Sequence, residues 1–319
     1  MEQIAKAIRE NNSFLITAHV NLEGDSLGSQ LAMKELLDGL GKRSFIYDAD
    51  PVPQHLLFLP KAGNVKNKIT PEDKFDAALV LDCPTLKRTG KVADVIKGKT
   101  ILNIDHHISN EKFGTVNWVD ATASSAGEMV FRLFKEMDQP LTKEAALDLY
   151  IAILTDTGSF NYDNTSQATH EIAGELLGYG VDPASVSENV YERRSVSDIK
   201  LLGRVLSTIK MALDDKVAYL EVTQKMLADT GADISKSEGL VNYARSIDKV
   251  KVAVIFKEDS KDPKKINVSF RSKGEVDVNL IASSFAGGGH KRAAGCLVEG
   301  KLEDVEKQVL AKIEEILKR

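Results

Sequence analysis

The chain has 319 residues, of which 43% are hydrophobic and 28% charged, with a formal net charge of -5. That length gives room for one large or two medium domains with sizeable cores, and the composition is that of a folded globular protein. The acidic balance leaves no global basic field for long DNA, so any nucleotide phosphate would have to be met locally, by metals or a few basic side chains.

Residues 1–12 read as an amphipathic helix and lack the continuous apolar core of a signal peptide. No apolar run reaches the roughly 18 residues a membrane span needs, so no membrane partner is expected and a cytoplasmic location is the default. The only two cysteines, Cys83 and Cys296, stand far apart, which speaks against a disulfide framework or a zinc cluster.

Residues 13–19 form a short apolar run ending in polar residues, the pattern of a buried strand. Residues 26–41 carry helical periodicity closed by Gly41. Strands are predicted in 43–48, 75–82 and 100–105, and helices in 123–137 and 143–158. This β-α-β alternation predicts an α/β fold, a parallel sheet with helices on both faces. The stretch from Ser166 to about Lys210 is mostly helical. Strands follow in 216–222, 249–258 and 264–272, with helices in 276–285 and 305–319. The division expected is a first domain over 1–185, a helical linker over 186–209 and a smaller α/β domain over 210–319.

Chemistry collects at the predicted strand ends, where open parallel sheets place their sites. The first strand leads into His19, Glu23 and Asp25; the third ends at Asp82; the fourth ends in Asp105, His106 and His107. Asp156 closes an apolar helix. One such ending is ordinarily a helix cap or a turn residue. Four in one sheet would crowd carboxylates that raise each other's pKa, a cost that a divalent cation removes. Imidazole and carboxylate without thiolate suit Mn²⁺ or a similar hard to borderline ion.

At these residues the chain resembles the DHH phosphoesterase superfamily. The resemblance is carried by HVNLEGDSLGS (19–29), LDCP (81–84), DHH (105–107) and LTDTGSF (154–160), in the family's order. FAGGGHKRAAG (285–295) resembles the glycine-rich signature of the type-1 DHH-associated domain. The resemblance is nearest to the oligoribonucleases that degrade very short RNAs and dephosphorylate 3'-phosphoadenosine 5'-phosphate.

The resemblance implies two Mn²⁺ ions: one held by His19, Glu23 and Asp82, the other by Asp25, Asp82, His106 and Asp156, with Asp82 bridging. It implies that His107 contacts the scissile phosphate or assists proton transfer, and that Asp105 holds the imidazoles in place. Arg271, Ser272, the run Gly287, Gly288 and Gly289, and His290 would bind substrate across a cleft between the domains. Glu23 departs from the family, which usually has Asp there, and Asn161 stands where many members have Arg.

The expected substrates are short oligoribonucleotides, linear dinucleotides or the bisphosphonucleoside, with a homodimer as the expected assembly. Open alternatives are a phosphodiesterase dedicated to linear dinucleotides from cyclic-dinucleotide signalling and a non-catalytic nucleotide sensor. A family II pyrophosphatase lacks the GGGH signature, and a RecJ-like exonuclease needs a longer chain.

Overall fold

The apolar runs of the first half are explained by strands buried on both faces. In the computed structural model, which describes residues 1–70, 72–237 and 239–318 and only the backbone of Ser235, Lys236 and His290, the chain divides between Arg193 and Arg194. The first unit runs α1 (Glu2–Glu10), β1 (Ser13–Thr17), α2 (Gly24–Gly39), β2 (Arg43–Ile46), β3 (Ala77–Leu81), α3 (Val92–Ile96), β4 (Thr100–Asp105) and β5 (Val116–Val119). It continues through α4 (Ala126–Glu136), α5 (Lys143–Asp156), α6 (Gln167–Gly178) and α7 (Pro183–Tyr191). The strands are parallel and lie in the order β2-β1-β3-β4-β5.

Successive residues of a strand point to opposite faces. Phe14 and Ile16, Leu79 and Leu81, and Leu102 and Ile104 enter one core, with the buried residues of α1, α2, α4 and α5. Leu15, Ala78, Val80 and Ile101 enter a second core on the other face, with Val92 and Ile96 of α3. Burial of each large apolar side chain stabilises by roughly 1.5–3 kcal/mol, so a one-residue slip of register would exchange both sets at once.

Serine and threonine oxygens cap the helices that follow: Ser125 accepts from the Glu128 N–H and Thr142 from the Ala145 N–H. At the start of α4, a Cβ added to Gly127 would lie 2.4 Å from the Cβ of Ala152 in α5. Glycine therefore lets these two helices approach closely, which sets the α4 N-terminus beside the strand ends.

The second unit runs α8 (Val196–Leu206), β6 (Lys210–Ala212), β7 (Val217–Val222), α9 (Gln224–Thr230), α10 (Val241–Ser246), β8 (Val252–Glu258) and β9 (Lys265–Ser272). It ends with α11 (Val278–Ser283), β10 (Gly288–His290), β11 (Ala293–Glu299) and α12 (Leu302–Leu317). Its mixed sheet has the order β10-β11-β9-β8-β7-β6, with β7 and β8 parallel and the other pairs antiparallel. Val252, Val254 and Phe256 face α11 and α12, while Ala253 and Ile255 join Leu201 and Val205 of α8 and Val241 of α10. The helical stretch 186–209 is thus shared out: Val186 of α7 belongs to the first unit's core and Leu201 to the second's. No helix among the described residues is long and apolar enough to cross a membrane.

Candidate active site

The three central strands of the first sheet end side by side, and their next residues form one cluster. β1 leads to His19, β3 to Asp82, and β4 to His106 and His107. Asp82 has a positive φ of 49°, a left-handed conformation that Asp tolerates better than most residues. Asp25 enters from the first turn of α2 and Asp156 from the last residue of α5. Asp25, Asp82, His19, His106 and His107 are all buried.

Asp82 sits at the middle. Its Oδ2 lies 3.2 Å from His19 Nε2, and its Oδ1 lies 3.5 Å from both His106 Nε2 and His107 Nδ1. His106 Nε2 also faces Asp25 Oδ2 at 3.7 Å and Asp156 Oδ2 at 3.5 Å. His19 Nδ1 lies 2.6 Å from the Val20 carbonyl and donates to it, which leaves Nε2 for the cluster. Asp25 is held by three donors: the N–H groups of Ala126 (2.7 Å) and Gly127 (2.9 Å) at the α4 N-terminus, and the Ser29 hydroxyl (2.9 Å).

Burial and the mutual charges of the carboxylates and imidazoles set the electrostatics of the cluster. Burial and the charge of Asp82 push Asp25 up to about 7. Lost hydration, opposed by His106 and reinforced by Asp25 and Asp82, brings Asp156 to about 7. Burial alone would lower His19, but the hydrogen bond and charge of Asp82 outweigh it and raise the imidazole to about 9. Burial would likewise lower His106, and the carboxylates around it raise it well above the usual value. Burial would raise Asp82, yet His106 and His19 hold it well below the usual carboxylate range.

The residues present fit divalent cations. Asp82 Oδ1 is buried with no hydrogen-bond partner among the described residues. Two groups offer ligand atoms that lie within 4.8 Å of one another: Asp25, His106 and Asp156, and Asp82, His106 and His107. Oxygen and imidazole donors of this kind suit a hard to borderline ion.

Glu23 is not in either group. It is exposed and stands at the N-cap of α2, where its N–H donates to Ser26 Oγ at 2.8 Å. It is close enough to Asp156 to add to that residue's raised pKa. Asn161 donates to the carbonyls of Gly158 and Ser159, within its own loop.

The structure adds residues that no motif had marked. Asp48, buried just beyond β2, accepts from Thr17 Oγ1 (3.0 Å) and the Ala18 N–H (3.1 Å), immediately behind His19. Arg88 is exposed and near enough to lower the pKa of His19 and of Cys83. Asn164 donates to the Asp156 carbonyl at 3.1 Å and more weakly to its carboxylate at 3.5 Å. A strand that ends in Asp is visible in sequence; a lone Asp, Arg or Asn at no fixed spacing is not.

In the second unit, Arg271 of β9 pairs across the sheet with Ala293 of β11. Its Nη1 donates to the Phe270 carbonyl, and its Nε is buried with no partner among the described residues. Ser272 is committed to the fold, its hydroxyl donating to the Val276 carbonyl at 2.7 Å. Gly288 and Gly289 of the glycine run lie in β10, with Gly287 just before it. A Cβ on Gly287 would lie 2.2 Å from the Gly295 carbonyl oxygen, and one on Gly289 (φ +147°) 2.5 Å from that of Ala293. These two glycines let the chain run close against β11, whereas a Cβ on Gly288 would meet only Asn279 Oδ1, at 3.9 Å. His290 lies in β10, with its side chain outside the described residues.

Comparison with known proteins places both units in known domain families. Residues 13–153 match the model of the DHH family N-terminal domain, and residues 214–319 that of the DHHA1 domain. The chain is 33% identical to the bifunctional oligoribonuclease and PAP phosphatase NrnA of Thermus thermophilus, over 99% of this chain and 93% of that one. It is 28% identical to the protein of the same name from Bacillus subtilis, over 99% and 98%. Among solved structures, an exopolyphosphatase-related protein from Bacteroides fragilis superposes with a TM-score of 0.92 at 29% identity, covering 100% of this chain and 97% of that one. The chain belongs to the DHH family of phosphoesterases and carries a DHHA1 domain after its catalytic-type sheet.

Proposed function

We propose that this protein hydrolyses phosphate esters of short nucleotide substrates, using two Mn²⁺ ions held by His19, Asp25, Asp82, His106 and Asp156. The observation that carries this reading is Asp82, whose two oxygens face different imidazoles at the centre of a buried carboxylate cluster. Bound divalent ions supply the polarisation of a phosphate oxygen and the acidification of a water. Asp25, Asp82, His106 and Asp156 would hold one ion and His19 with Asp82 the other, so that Asp82 would serve both. Glu23 stands beside the site at the α2 N-cap.

The protein's own groups would do the rest. His107, hydrogen-bonded to Asp105 at 2.7 Å, is held to contact the scissile phosphate or to move a proton. Arg88 would balance phosphate charge beside His19. In the second unit, Arg271 and the backbone at Gly288, with His290, are the substrate-binding groups that this reading assigns. The relatives named as oligoribonuclease and PAP phosphatase support short RNA and 3'-phosphoadenosine 5'-phosphate as the substrate class.

The test is Mn²⁺-loaded protein offered a linear dinucleotide, a pentanucleotide, 3'-phosphoadenosine 5'-phosphate and pyrophosphate. Mononucleotide or phosphate should be released from the first three and none from pyrophosphate. Turnover of the dinucleotide alone would mean an enzyme dedicated to linear dinucleotides. Binding of nucleotide without any release would overturn the enzyme reading in favour of a sensor.

A further inference from the structure

Beneath the DHH sequence lies a chain of side-chain amides that ends on His107. Asn103, fully buried inside β4, donates from Nδ2 to the carbonyls of Val80 and Cys83, each at 3.2 Å. Its Oδ1 therefore faces the other way and accepts from Asn110 Nδ2 at 2.9 Å. Asn110 Nδ2 also donates to Asp105 Oδ2 at 2.6 Å, and lies 3.4 Å from the Cys83 carbonyl. The other Asp105 oxygen, Oδ1, lies 2.7 Å from His107 Nδ1.

The orientation of both amides is fixed by their partners. Asn110 Oδ1 accepts from the Lys112 backbone N–H at 2.6 Å, and a backbone N–H can only donate. Asn110 Nδ2 must then present its hydrogens to Asp105 and Asn103. The Asn110 N–H bonds the His107 carbonyl at 3.2 Å, so the residue is tied to the same turn. With Oδ2 taken by Asn110, Asp105 offers Oδ1 to His107 in one plane.

We infer that Asn110, backed by Asn103, is a positioning residue that fixes the Asp105 carboxylate so that its Oδ1 accepts from His107 Nδ1 and holds the ring with Nε2 turned away from Asp105. His107 then takes part in the reaction through Nε2. It does not bind an ion through Nδ1, although that atom lies 3.5 Å from Asp82. The ligand groups are left to His19 and His106. Partners of this kind typically alter activity by about 10–100-fold when removed.

The assignment rests on the proposed hydrolysis only for its kinetic consequence, because the imidazole can be read in inactive, metal-free protein. Long-range proton–nitrogen NMR of histidine-labelled, metal-free protein, with His107 identified by its loss in His107→Gln, should show a proton on Nδ1 in a strong hydrogen bond to Asp105. Asn110→Ala should loosen that bond, read as a shift and broadening of the Nδ1 proton and nitrogen signals. Asn110→Leu keeps the approximate volume while removing the donors, and should do the same if the alanine variant folds poorly.

With Mn²⁺ and a dinucleotide, Asn110→Ala should lower kcat by about 10–100-fold, with KM and Mn²⁺ affinity changed by less than about twofold. In a His107→Gln background it should cost little more, because the two residues act as one unit. Unchanged His107 Nδ1–H signals in both Asn110 variants would overturn the inference. So would an equal kcat loss with and without His107. If the wild type hydrolyses nothing, the proposed function fails, and the NMR result still decides the role of Asn110.

Discussion

Removing the charge of Asp25 should change how stability depends on pH, in a direction that the site's electrostatics fix. Asp25 is buried, and its pKa rises from 3.8 to about 7 in the folded protein without bound ions. A raised folded pKa means that the folded state holds a proton that the unfolded chain has already released. Stability is therefore present at low pH and falls as pH rises from about 4 to 7. At about 1.4 kcal/mol per pH unit, a shift from 3.8 to about 7 corresponds to about 4 kcal/mol.

Asp25→Asn deletes this dependence. It also turns an amide donor toward the N–H of Ala126 or Gly127, an offset of about 1–3 kcal/mol at all pH values. The single tryptophan, Trp118 in β5, reports unfolding of the first unit alone. Urea titrations followed by its fluorescence, with chelator present, should show the variant gaining about 4 kcal/mol on the wild type between pH 4 and pH 8. Added Mn²⁺ should reverse the order at pH 8 by stabilising the wild type and not the variant. A wild-type-to-variant difference that stays flat across this range would refute the burial-and-repulsion account of Asp25.

Three further outcomes follow from local geometry. Gly127→Ala would drive a methyl group into Ala152 and should cost about 1–3 kcal/mol in urea, with weaker Mn²⁺ binding because the Asp25 donors move; unchanged stability and binding would show that the α4–α5 approach is looser. Glu23→Asp should leave Mn²⁺ affinity within about twofold and add at most about 1 kcal/mol as a better N-cap; a tenfold change in affinity would make Glu23 a ligand. Asp48→Asn should weaken Mn²⁺ binding by about 10–100-fold while the fold persists by circular dichroism, since it steadies the chain leading to His19; full affinity would confine Asp48 to the core.

Much of the first unit was legible because each apolar run ended in a group that apolar packing does not explain. His19, Asp82 and His106 follow strands whose alternation puts both neighbours into cores, so their position at the sheet edge follows from the run that precedes them. β5 was not read, because four half-buried edge residues carry little pattern. Asn103 was hidden inside an apolar strand, and Asp48 and Asn110 make contacts 31 and 5 residues away that no spacing rule encodes. The glycine run was legible as a special backbone, but its reason differs: at Gly287 and Gly289 the close neighbour is β11.

The account centres on Asp82 joining two ion positions in a phosphoesterase, and one titration tests it. Metal-free protein is titrated with Mn²⁺ while bound ion and dinucleotide turnover are followed together, for the wild type and Asp82→Ala. Wild-type turnover should appear only as two ions bind, and Asp82→Ala should bind fewer ions and turn over no faster than the protein-free blank. Full turnover in chelator, or an Asp82→Ala protein that binds two ions and hydrolyses at the wild-type rate, would contradict it.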